Sequence, residues 1–222
     1  MYLNITYCSL SMNKEEFLKL TESFDHIIFD YGGIFINIDY EQTTKALNIL
    51  SPQDATSLYS KKIQATFFDE FETGKLSSKE FITCLKESLR INATDDEITK
   101  AWNAMLLGIP KERFEFIKEL REQKKIYLLS NINQIHEDFL NVYIQSRPEL
   151  TNFYSSFDEV YFSHHIGLRK PNIEAFEFVL NKHGMAPEKT LFIDDSPQHI
   201  EGAKKAGLNT YYLSPANTFI TL

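Results

Sequence analysis

Four apolar runs in this chain each lead to residues that can do polar chemistry: IIFD ends at Asp30, YLLSN at Ser130-Asn131, DEVYFS runs on toward Lys170, and LFIDD closes on Asp194-Asp195. Short apolar runs bounded by turn residues read as buried strands, and in open α/β sheets ligands gather beyond the carboxyl ends of such strands. Side by side at one sheet edge the three carboxylates would repel. At an effective dielectric near 20 a pair ~4 Å apart costs about 4 kcal/mol, so the cluster needs a cation. An oxygen-rich site with few protein ligands suits Mg²⁺, which keeps waters and shares its shell with a substrate phosphate. Formal charge then balances, three carboxylates against Mg²⁺ and Lys170. An incoming phosphoryl group would meet Mg²⁺, Lys170, the Ser130 hydroxyl, Asn131 and backbone N–H donors at Gly32 and Gly33. Those glycines permit positive φ and a close backbone approach that a side chain would obstruct.

Each piece has a plainer reading by itself. Asn131 or Asn133 could cap a helix, Lys170-Pro171 could be a solvated loop, and Ser196 with Pro197 could open a helix. The ordered set of four carries the inference.

The elements that must position these residues fall into two patterns. Residues 13–22 predict a short leading helix, whereas the first eleven carry no periodic signal and leave Met12 as an alternative start. From 40 to about 123 no convincing strand is visible. Helices are predicted near 40–49, 63–72, 78–90 and 95–107, with Thr94 and Glu97 spaced as a capping box, and another from Pro110 to about 123. From 125 strands and helices alternate: KIYLLSN, a helix from 134, DEVYFS, a helix opening at Pro171, TLFIDD, a helix from 197, and NTYYLS. Such alternation implies a parallel sheet with right-handed crossovers. The expected fold is thus α/β, a Rossmann-like parallel sheet flanked by helices, begun before residue 40 and resumed after about 112.

With 222 residues, 43% hydrophobic and 24% charged, the chain can bury one substantial core and a small second lobe. A net charge of −8 without a Lys/Arg cluster argues against a nucleic-acid or anionic-membrane surface. No apolar run reaches the ~18 residues of a membrane helix, and the N-terminus lacks a leader pattern, so a cytoplasmic protein is expected. Two cysteines, Cys8 and Cys84, support neither a disulfide framework nor a metal cluster. The Asn-x-Thr triplets at Asn4 and Asn92 would matter only in a secreted protein.

The motifs IIFDYGG, YLLSN, GLRKP and LFIDDSP, in that order, resemble those of the haloacid dehalogenase superfamily over about residues 25–215. The resemblance implies that Asp30 is a nucleophile that becomes an aspartyl-phosphate, with Ser130 and Lys170 holding the phosphoryl oxygens. It places Asp30, Asp195 and the Gly32 carbonyl around Mg²⁺, with Asp194 touching the ion directly or from one layer behind. Residues 41–111 resemble the family's inserted all-helical cap domain, leaving 1–40 and 112–222 as the core domain. Such caps exclude water and choose the substrate.

One position departs from the pattern. Most phosphatases of the superfamily carry a second aspartate two residues after the nucleophile, to protonate the leaving group and activate water, but here that residue is Gly32. Losing a general acid–base typically costs about 10²–10⁴ in rate. Either an acid comes from elsewhere, with Asp39, His164 and His165 as candidates, or the leaving group is a good one, or catalysis is impaired. The pattern D-x-G-G/N-hydrophobic resembles a bacterial branch with phosphatases acting on α-glucose 1-phosphate, whose anomeric oxygen leaves readily. The resemblance therefore implies a Mg²⁺-dependent phosphatase of a small phosphorylated metabolite such as a sugar 1-phosphate, working as a monomer or homodimer. The alternatives are a metal-independent 2-haloacid dehalogenase, against which Asp194-Asp195 counts, and a low-activity binding or regulatory protein, against which the retained charged cluster counts. Phe67, Phe68, Phe71, Trp102 and Met105 are expected in cores, His199 exposed, and His164 and His165 diverging.

Overall fold

A computed structural model describes residues 14–56 and 67–213; the expectations for Asn4, Cys8 and Met12 lie outside that range. Helix α1 (Lys14–Thr21) leads into β1 (His26–Phe29), and a two-residue strand β2 (Asn37–Ile38) follows. Next come, among the described residues, helices α2 (Tyr40–Leu50), α3 (Phe67–Glu72), α4 (Ser78–Leu89) and α5 (Asp95–Asn103). After β3 (Leu106–Gly108) the chain alternates: α6 (Lys111–Arg121), β4 (Lys125–Ser130), α7 (Gln134–Gln145), β5 (Glu159–Phe162), α8 (Ser163–Ile166), α9 (Ile173–His183), β6 (Thr190–Asp194), α10 (Pro197–Lys205) and β7 (Asn209–Tyr212).

Five strands form one sheet in the order β5-β4-β1-β6-β7, and every pairing is parallel. Side chains alternate faces along a strand, and the core divides accordingly. Ile27, Phe29, Ile126, Leu128, Leu191 and Ile193 pack with Phe17 of α1, Ile117 of α6 and Leu140 of α7. Ile28, Tyr127, Leu129 and Phe192 face the other way, against Phe176 and Val179 of α9 and Ile200 of α10. The sheet is covered on both faces, as a parallel sheet must be. Register pairs Phe29 with Ile193, which brings Asp30 level with Asp194.

Helices α2 to α5 have a hydrophobic cluster of their own, built on Leu47, Phe68, Phe71, Phe81, Ile98 and Trp102 and closed from outside by Ile135 of α7. Trp102 and Met105 are buried. Thr94 and Glu97 form the expected capping box, and Ser77 and Glu80 form a second one.

Two expectations for this stretch need correction. The helix foreseen to 107 stops at Asn103, because the Thr43 hydroxyl donates to the Trp102 carbonyl at 2.9 Å and accepts from the Met105 N–H at 3.1 Å. The residues released form β3, a strand where none was expected, antiparallel to β2. Three residues are too few for a strand period to show; the partner defines the strand. The helices thus leave and rejoin the chain through a two-stranded ribbon. Among the described residues no helix is long and apolar enough to cross a membrane.

Candidate active site

The strand ends converge. Asp30 follows β1, its N–H donating to the Ile193 carbonyl of β6 at 2.9 Å. Ser130 closes β4 and is buried; Asp194 closes β6 and is fully buried, with Asp195 half-buried beside it. Lys170 arrives from the loop between α8 and α9 with 0% exposure. Its Nζ donates to Asp30 Oδ1 at 2.7 Å and to Asp194 Oδ2 at 2.7 Å. A buried ammonium is tolerable only when paired and hydrogen-bonded. Burial alone would lower the Lys170 pKa, but Asp194 and Asp30 outweigh it and hold the pKa above its ordinary value.

Asn131 explains how Lys170 is held. Its side-chain amide donates to the Lys170 carbonyl at 2.7 Å, and its amide oxygen accepts the Lys170 N–H at 2.9 Å. Both ends of Asn131 are therefore engaged with the lysine main chain, and one N–H of its amide remains over. Asn133, not Asn131, caps α7. The peptide Lys170-Pro171 is cis.

The carboxyls sit at different acidities for stated reasons. Burial raises Asp30, with Asp194 adding to it and Lys170 opposing. Burial acts on Asp194 too, but Lys170 and His199 overcome it and bring the carboxyl down. Asp195 is pushed up to about 7, first by burial and then by the charges of Asp30 and Asp194. One lysine pairs directly with two of three carboxylates, and the third, Asp195, has no ion pair among the described residues and is only partly compensated by Lys170. Oxygen donors holding excess negative charge at a sheet edge fit a hard divalent cation of the Mg²⁺ kind.

Gly33 is the tight glycine. It has φ 70°, and a Cβ there would run into the Asp195 carboxylate. Its N–H, expected to face an anion, instead donates to the Ile36 carbonyl at 2.9 Å. A Cβ on Gly32 would come 2.5 Å from Ile38 Cδ1. At the position where the superfamily pattern calls for an aspartate, the tip of Ile38 lies against the glycine.

None of the three candidate acids stands at the cluster as a free acid. Asp39 caps α2, accepting from the Glu41 N–H and the Gln42 amide, and the Gln42 and Glu41 hydrogen bonds lower its pKa. His164 and His165, expected to diverge, both turn to Glu137, each Nε2 lying 2.8 Å from the same oxygen. Adjacent residues in a single helical turn do not usually share a partner, but α8 is four residues long and ends at Gly167 with φ 71°, which leaves both rings on one side.

Sequence reasoning missed three participants. His199, expected to be exposed, is 19% exposed and faces both Asp194 oxygens through Nδ1, at 3.1 and 2.9 Å. It lies in the first turn of α10, five residues after a strand-end aspartate, a separation for which neither helix nor strand period gives a signal. Arg169, next to Lys170, forms ion pairs with Asp69 and, at 2.8 Å, with Glu72, both on α3. Glu72 is raised by burial, against the pull of Arg169. Tyr40 opens α2 over the same cluster: although the residue is exposed, its hydroxyl is pushed up to about 12, by local crowding and then by Asp30, Asp195, Glu72 and Asp194. A separate cleft of about 390 Å³ lies at the amino edge of the sheet, by Asp25, Lys125 and Asp158, the wrong end for a strand-end site.

Comparison with known proteins agrees with this fold. The family model described as haloacid dehalogenase-like hydrolase matches residues 24–213. The chain is 31% identical over 187 residues to a D-ribitol-5-phosphate phosphatase of Bacteroides thetaiotaomicron, covering 84% of this chain and 90% of that one. Among solved structures it resembles a HAD family enzyme of the same organism, an Asp-to-Ala mutant in complex with magnesium and inorganic phosphate, with TM-score 0.80, 28% identity and coverage of 86% and 95%. A predicted HAD-like family hydrolase from Porphyromonas gingivalis aligns with TM-score 0.79 at 30% identity, over 89% of this chain and 95% of that one.

Proposed function

The chain belongs to the haloacid dehalogenase-like hydrolase family, and from that premise we propose that it is a Mg²⁺-dependent phosphatase of a small phosphorylated sugar or sugar alcohol. The observation that carries the reading is the buried Lys170 bridging Asp30 and Asp194 while Asp195 stays only partly compensated. Asp30, Asp195 and the Gly32 carbonyl would hold the ion, and Asp194, whose oxygens already accept from Lys170, His199 and the Ser196 N–H, would organise the cluster from behind. When bound, Mg²⁺ neutralises charge on the phosphoryl oxygens and orients the group.

In this reading Asp30 attacks phosphorus, the bond to the leaving oxygen breaks, and an aspartyl-phosphate remains. Water then cleaves it and returns the carboxylate, so that one hard displacement becomes two easier ones. Lys170 and the Ser130 hydroxyl hold the phosphoryl oxygens as charge redistributes. With Gly32 and Ile38 where an acid would stand, the leaving oxygen takes its proton from water, and this favours an anomeric oxygen, as in a sugar 1-phosphate. Resemblance to a ribitol-phosphate phosphatase supports a terminal polyol phosphate as the second substrate class. Residues 41–111 would act as the cap: their separate hydrophobic cluster and the ion pairs of Asp69 and Glu72 with Arg169, the neighbour of Lys170, support that role.

The test is phosphate release from a panel holding both α-glucose 1-phosphate and ribitol 5-phosphate, with Mg²⁺ and with chelator, and Asp30→Asn as blank. Metal-dependent release that is lost in the variant is expected, faster for the anomeric phosphate. Substantial activity in Asp30→Asn, or release indifferent to chelator, would overturn the assignment.

A further inference from the structure

Just past the ends of β4 and β5, Glu137, His164 and His165 bring a carboxylate oxygen and two imidazole nitrogens within 4.8 Å of one another. Glu137 stands in the first turn of α7, and the histidines form the middle of α8. His164 Nδ1 lies 2.9 Å from the Ile132 carbonyl. A carbonyl only accepts, so Nδ1 carries the proton. In a neutral ring Nε2 is then bare, and it points at Glu137 Oε2, 2.8 Å away. Two lone pairs at hydrogen-bond distance repel unless a cation lies between them. A second proton on His164 or a proton on Glu137 would serve as well as a metal ion; burial of the His164 ring, 4% exposed, lowers its pKa against the pull of Glu137 and disfavours the first of these. His165 Nε2 approaches the same Glu137 oxygen at 2.8 Å.

We propose that Glu137, His164 and His165 bind a borderline divalent cation of the zinc type, at a site separate from the Asp30 cluster. Two imidazoles and one carboxylate, with room for water, make a ligand set that Zn²⁺ takes at about 2.0–2.2 Å, whereas Mg²⁺ prefers oxygen alone. Ligand atoms around a tetrahedral ion with such bonds stand roughly 3.3 Å apart, so each imidazole nitrogen, now 2.8 Å from the Glu137 oxygen, needs to draw back from it by only about half an ångström. The carbonyl behind His164 fixes its tautomer and ring plane, the usual partner of a metal-bound imidazole. Ile132 accepts from the Ser163 hydroxyl as well, at 3.0 Å, so the ligands are anchored to the loop that follows Ser130. The half-exposed His165 opens on a cleft of about 550 Å³ shared with Ser77, Lys79 and Gln134. Among the described residues, Lys79 is the lysine or arginine that lines the cleft. Gly74 packs so closely on the His164 carbonyl that a Cβ would collide with it. An ion here would pin α7 to α8 directly beneath the turn between α3 and α4.

Titration of tag-free, chelator-stripped protein with Zn²⁺ under excess Mg²⁺ tests this, with Co²⁺ absorption as a second readout. One equivalent of Zn²⁺ is expected that Mg²⁺ does not displace and that Asp30→Asn retains. His165→Gln, at an exposed position that folding does not depend on, should weaken it by about tenfold or more, and so should Glu137→Gln. Tetrahedral Co²⁺ bands should vanish in both. Zn²⁺ affinity unchanged in both variants, displacement by Mg²⁺, loss of the site in Asp30→Asn, or no binding at all would overturn the proposal.

Discussion

Replacing Asp195 by asparagine should make the metal-free protein more stable at pH 8, not less. The Asp195 carboxyl titrates near 7 in the folded chain because burial and the neighbouring Asp30 and Asp194 charges oppose its ionisation, and near 3.9 in the unfolded chain. A group raised on folding contributes stability below its unfolded pKa and loses it as pH climbs through the folded value. Ionising Asp195 therefore costs stability progressively between about pH 4 and 7. Three pH units at 1.36 kcal/mol each give about 4 kcal/mol as a ceiling; the residue is only half-buried, and solvent screening reduces this to roughly 1–2 kcal/mol. Asparagine keeps the shape without the charge. Urea unfolding in chelator, at pH 4.5 and 8, should show Asp195→Asn gaining about 1–2 kcal/mol over the wild type at pH 8 and almost nothing at pH 4.5. Mg²⁺ at 100 times its dissociation constant should return about 2.7 kcal/mol to the wild type and little to the variant. A variant less stable than wild type at pH 8 in chelator, or a difference that ignores pH, would refute the claim that Asp195 is only partly compensated.

Lys170→Met leaves Asp30 and Asp194 facing each other without their cation, so a loss of about 3–5 kcal/mol in chemical unfolding at neutral pH is expected, shrinking in acid as the two carboxyls protonate. A loss below 1 kcal/mol would mean that the lysine does not neutralise the pair. Gly33→Ala should cost at least about 1–2 kcal/mol for its positive φ and displace Asp195, weakening Mg²⁺ binding. Gly32→Ala meets only the flexible tip of Ile38 and should be tolerated; calorimetry and thermal melts that rank the two the other way would show that the turn is placed differently.

Much of the site was legible along the chain because its residues sit at strand ends. Asp30, Ser130 and Asp194 each terminate an apolar run, and a parallel sheet gathers such ends at one edge. Pattern alone also separated the helical stretch between β2 and β3 from the alternating strands and helices that follow. The two-residue β2 and three-residue β3 left no period to read, and the place where α5 stops is set by Thr43, about sixty residues away in sequence.

What the sequence determined by itself was the parallel α/β sheet and the set of charged residues at its carboxyl edge, because hydrophobic period and strand-end chemistry are local properties of the chain. What only the tertiary structure decided was the pairing. Lys170 divides itself between Asp30 and Asp194 and leaves Asp195 only partly compensated, Asn131 holds the lysine loop, His199 folds back on Asp194, and two neighbouring histidines converge on Glu137. Each of these outcomes turns on two or three ångströms between groups that no local period brings together. Distances of that size come from backbone register, loop curvature and close packing of the whole core, and no single stretch of chain encodes them.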